Sequence, residues 1–69
     1  MIKYSLLTYH LNNMVELLMN KYHMSYELAL SRAIASETYQ SLVASDYLYE
    51  EGELFILELL EGELVSKVA

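Results

Sequence analysis

Between residues 51 and 68 apolar side chains return every three or four positions, and no proline interrupts them. Wound at about 100° per residue, Ile56, Leu57, Leu60, Leu64 and Val68 form one stripe, and Glu51, Glu58 and Glu61 fall opposite. The pattern predicts an amphipathic helix with a core face and a solvated face. Phe55, Leu59, Gly62 and Ser66 lie off the stripe and make a second seam at i, i+4, i+7 and i+11. Glycine inside a helix costs roughly 1 kcal/mol against alanine, so Gly62 needs a reason. Either another backbone approaches closely along the seam, or the helix frays or ends at Glu61 and Gly62, glycine being a common stop.

The rest of the chain has the same period. Residues 3–22 read as a first long helix of about 27–30 Å, with Tyr4, Leu7, Leu11, Met14, Val15, Leu18 and Tyr22 on one face. Lys3, His10, Asn13, Asn20 and Lys21 face away, and Leu6 and Leu17 sit among them as a candidate second contact. Ser25 and Ser36 are expected N-caps, their hydroxyls taking an orphan backbone N–H of the next turn, and Glu27 and Glu37 suit the positive helix ends. Two short helices follow these caps, over 26–35 and 37–43. The first presents Tyr26, Ala29, Leu30, Ala33 and Ile34, its alanines allowing close approach; the second presents Tyr39, Leu42 and Val43. Helices this short are marginal alone, so the two long ones must hold them. Residues 45–50 are a connector that opens on Ser45-Asp46 turn chemistry. Its Tyr47-Leu48-Tyr49 run is expected to lie across the bundle with its rings pinned.

A chain of 69 residues makes one domain, and a lone core of that size seldom supplies more than about 3–5 kcal/mol. With no cysteine there is no disulfide and no thiolate metal site. Apolar residues and tyrosine nevertheless make up 55% of the chain, above the usual ~45–50%, which argues for a homo-oligomer or a protein partner. Charge is uneven. Over 1–45, Glu16, Glu27 and Glu37 balance Lys3, Lys21 and Arg32; over 46–69, seven acids face only Lys67, so the whole net charge of −6 lies there. An acidic end repels phosphate backbones and suits a basic partner, or serves simply as a solvated face. Residues 1–20 lack the basic start and unbroken apolar core of a signal peptide. No run reaches ~18 apolar residues. A cytoplasmic protein with no membrane partner is therefore expected.

No motif carries a reaction. His10 and His23 are 13 residues apart without a metal-binding spacing; a surface His10 and a loop His23 are expected. Glu50, Glu51 and Glu53 lack the alternating ligands and central glycine of a calcium loop and read as favourable charges at a helix start. No phosphate loop or nucleophile elbow is present, and Ser36, Thr38 and Tyr39 have no histidine base nearby. Of seven tyrosines, Tyr22, Tyr26 and Tyr39 fit core edges. Tyr9, Tyr47 and Tyr49, with Phe55, are contact candidates, tyrosine being enriched at interfaces. The two short helices could imitate a helix-turn-helix, but 37–43 has no Lys, Arg or Asn to reach bases or phosphates.

The run MVELLMNKYHMSYELALSRAIASETYQSL resembles a family of small bacterial proteins of uncharacterised activity. The resemblance is carried by Lys21, Tyr22, Ser25, Glu27, Ala29, Ser36, Thr38, Tyr39, Leu42, Leu48, Tyr49 and Glu61, and spans most of 14–63. It departs at 43–52, where such proteins carry a longer, acidic, glycine-containing turn. Their genes often lie beside toxin or toxin–antitoxin genes, which implies an antitoxin-like or accessory role.

The expected fold is all-α, one compact bundle of four helices, two long and two short. The expected function is a small acidic protein–protein interaction module that masks a basic surface with its last helix, without enzymatic activity, metal or cofactor. The alternative is a structural homodimer or a dimeric DNA-binding regulator. Candidate contact residues are Phe55, Leu59, Gly62, Tyr47, Tyr49, Leu6 and Leu17.

Overall fold

The computed structural model describes the backbone of residues 2–68 and the side chains of 2–66. Four α-helices follow one another: α1 (Ile2–Tyr22), α2 (Tyr26–Ala35), α3 (Glu37–Ala44) and α4 (Glu53–Val68), with a single 3-10 turn at Leu48–Glu50 between the last two. No strand occurs among the described residues. α1 packs on α2, α3 and α4, and α3 on α4. The radius of gyration is 11.4 Å, against about 11 Å for a compact chain of this length.

Local chemistry sets the short helices. The Leu28 N–H donates to Ser25 Oγ at 3.2 Å and the Tyr39 N–H to Ser36 Oγ at 3.1 Å, so both serines cap as expected. Ser36 closes α2 as it opens α3: its own N–H and hydroxyl donate to the Ala33 carbonyl at 3.2 and 2.6 Å. α1 ends at His23, whose φ of 57° is left-handed; histidine tolerates that region better than most residues. The chain reverses there, and the Met24 N–H reaches the Leu18 carbonyl at 3.2 Å.

The core gathers one line from each helix. Leu7, Met14, Val15 and Leu18 of α1, Ala29 and Ala33 of α2, Leu42 of α3, and Ile56 and Leu60 of α4 are buried together. Leu11, Leu30, Tyr39, Leu57 and Leu64 pack half-buried around them, as does Leu48 of the connector. The Val68 side chain lies outside the described residues.

Several expectations are corrected. Tyr4 is 74% exposed: the ten residues of α2 reach about 15 Å, half the length of α1, and do not cover its start. Tyr22 and Tyr26, at the hairpin end of the α1–α2 pair, are exposed, as are Ile34 and Val43 at the edges of their helices. Leu17 is not a surface leucine but packs on the core, and Leu6 is half-buried. The last helix begins at Glu53, not at 51.

Gly62 neither stops α4 nor marks a close approach within the chain. The helix runs on to Val68, and a Cβ at Gly62 would meet nothing within 4 Å. Gly62→Ala should therefore raise stability by about 0.5–1 kcal/mol, the helix-propensity difference, read as a later urea midpoint. A loss of stability would mean that the space beside Gly62 is not open.

Candidate interaction surface

Two polar side chains that were expected to face water instead tie the connector to the bundle. His10 is 1% exposed. Its Nε2 lies 2.8 Å from the Tyr49 carbonyl, and its ring meets the Tyr9 ring edge-on at 5.5 Å. Lys3 Nζ donates to the Val43 and Ser45 carbonyls, each at 3.1 Å, and so places a cation at the C-terminus of α3, where the helix dipole favours it. The same ammonium lies 5.3 Å from the centre of the Tyr49 ring. Tyr49 is thus half-buried and occupied within the chain, whereas Tyr47, expected to be pinned, stands 71% exposed.

The acids of α4 divide by face. Glu53 accepts the Tyr9 hydroxyl at 2.9 Å. Glu61 accepts from Lys21, and that hydrogen bond holds the lysine above its ordinary pKa; an exposed pair of this kind adds little stability. Glu63 caps α3. One carboxylate oxygen accepts the Glu37 N–H at 2.9 Å, and the other accepts the Thr38 N–H at 3.0 Å and the Thr38 hydroxyl at 2.9 Å. Together with Ser36, this satisfies the N–H groups that a helix start leaves unpaired. Three acids expected to face a basic partner are therefore engaged inside the fold. Glu58 is exposed and makes no hydrogen bond or ion pair among the described residues.

What remains outside α4 is largely apolar. Leu54, Phe55, Leu59 and Val65 are 76%, 44%, 39% and 65% exposed. With Glu58, Gly62 and Ser66 they occupy an arc of about 140°, opposite the buried Ile56 and Leu60. A helix that is apolar all round is normally covered on every side. Beside this arc runs a groove of about 550 Å3 between α3 and α4. Glu37, Thr38 and Ser41 form one wall; Glu58, Leu59, Gly62 and Ser66 form most of the other. Phe55, Leu59 and Gly62 thus share one accessible face of α4; Leu6 and Leu17 are on α1 and Tyr47 on the connector, and none of the three lines the groove. Leu54 and Val65 are additions that sequence reading missed; at period 3.6 they fall off both the stripe and the seam.

No group of three or more His, Asp or Glu side chains able to hold a metal ion exists among the described residues, and no described helix is long and apolar enough to cross a membrane. No protein-family model, curated protein or solved structure matches the chain.

Proposed function

We propose that this protein is an interaction module that binds another protein through the outer face of α4. The observation that carries the reading is the exposed apolar arc of Leu54, Phe55, Leu59 and Val65 on a helix whose other side is already the core. Apolar patches of this kind mark contact surfaces. The resemblance of most of residues 14–63 to small bacterial proteins often encoded beside toxin or toxin–antitoxin genes supports an antitoxin-like or accessory setting for that contact. The alternative DNA-binding regulator has less support. The start of α3, which would have to enter a groove, is occupied by the Glu63 carboxylate. Lys3 and Lys21 are engaged within the fold.

Phe55→Glu tests the reading. The 44% of Phe55 still exposed, taken from a ring of about 150–250 Å2, is worth about 2–3 kcal/mol when covered, at roughly 25 cal/mol per Å2. A tagged Phe55→Glu protein should lose the partner that the wild type retains in a pull-down from its native cell, while circular dichroism stays helical. Undiminished capture by the variant would remove α4 from the interface, and unfolding would place Phe55 in the monomer core.

A further inference from the structure

We infer that the occupant of this face is a basic amphipathic helix, laid along the α3–α4 groove with apolar side chains against Phe55 and Leu59 and a Lys or Arg opposite Glu58. This rests on the interaction-module reading and adds the partner's chemistry to it.

The argument starts from Glu58. It stands within the apolar arc, with Leu54 and Val65 on one side and Phe55, Gly62 and Leu59 on the other, and makes no hydrogen bond or ion pair among the described residues. Anything that covers the arc strips water from this carboxylate. A desolvated charge is tolerated only when paired, so the covering surface must bring a cation. Residues 37–44 and 53–66 contain no Lys or Arg, so the face cannot supply one. A second copy docked by a two-fold axis would present the same patch, which carries Glu37 and Glu58 and no cation to pair with them. The requirement therefore selects a foreign, basic partner. The net charge of −6 would also speed encounter with such a partner.

Shape narrows the partner to a helix. Ser41, Gly62 and Ser66 put small side chains along the groove, and the space over Gly62 is open. Small residues let a second helix axis approach to about 8–10 Å. From Phe55 to Ser66 is about 16 Å, three turns, which matches an amphipathic helix seated in a groove with anchors at i, i+3 or i+4, and i+7. This occupant also accounts for Gly62, which costs helix stability and has no role inside the chain.

The test uses the full-length protein and two synthetic helical peptides, each with leucines on one face and either lysines or glutamines on the other. Binding is followed by fluorescence anisotropy. The lysine peptide should bind at least about tenfold more tightly than the glutamine peptide, with the gap narrowing between about 0.05 and 0.5 M salt. Glu58→Gln should weaken the lysine peptide about tenfold and leave the glutamine peptide unchanged. Glu16→Gln, the same change of net charge on α1, should alter neither. Gly62→Leu, which fills open space and keeps the helix, should weaken both peptides. Equal binding of the two peptides, or a Glu16→Gln effect as large as that of Glu58→Gln, overturns the charged occupant; if Gly62→Leu still blocks binding, the interaction-module reading stands without it. Should neither peptide bind, and light scattering show a dimer that Gly62→Leu dissociates, the occupant is a second copy and the inference falls.

Discussion

Leu60→Glu should unfold this protein outright. Leu60 is 1% exposed and lies beside Ile56, which is fully buried. Removing a buried leucine side chain forfeits about 2–5 kcal/mol, and an unpaired carboxyl placed there adds a desolvation cost of several kcal/mol more. Against a total of about 3–5 kcal/mol for a core of this size, the folded state cannot survive. Circular dichroism should show a loss of helix at 25 °C without denaturant. Leu59→Glu, one residue away but 39% exposed, should stay helical. If both variants remain folded, α4 is not the helix that closes the core; if both unfold, the outer face is not free in the monomer.

Glu63→Ala should cost the fold about 2–4 kcal/mol, on the basis that hydrogen bonds to a charged group are worth about 1.5–3 kcal/mol and the helix-dipole contribution up to about 1. Its carboxylate takes two backbone N–H groups and the Thr38 hydroxyl at the start of α3, and Thr38 is buried, so water replaces the lost acceptor poorly. Ser36 still satisfies the Tyr39 N–H, which keeps the loss short of complete collapse. α3 has only eight residues and does not persist alone, so its amides should lose hydrogen-exchange protection before those of α1. Glu63→Gln retains an acceptor but not the charge and should fall between the two. An unfolding free energy for Glu63→Ala, from urea titration, within about 0.5 kcal/mol of wild type, the scatter of ordinary surface substitutions, would show that the clamp contributes little.

The residues that sequence reading placed correctly share a physical property. Ser25 and Ser36 cap helices through hydrogen bonds to a residue three positions on, and the stripes of α1 and α4 are periodicities within single helices. His10 could have been found, since it stands three after Leu7 and four before Met14, both buried. Its polarity placed it on the wet side, yet its ring is accepted because Nε2 finds the carbonyl of Tyr49. Tyr4 shows the opposite error. It has the right period for the core, yet it stands exposed, and it is the neighbouring Lys3 that meets the end of α3.

By itself, then, the sequence determined the elements: four helices, their caps, and the leucine-rich stripes that must turn inward. All of these are encoded within a few residues, where spacing alone brings groups together. The tertiary structure decided how the polar and leftover apolar groups are used. Lys3 meets carbonyls 40 and 42 residues away, His10 one 39 away, and Glu63 the backbone 25 and 26 residues before it. Whether an acid in α4 faces a helix terminus, a lysine or water depends on where three other helices come to rest, and no periodicity within α4 carries that information. The same packing leaves Phe55 and Leu59 uncovered, because one helix can turn only one side toward a core this small.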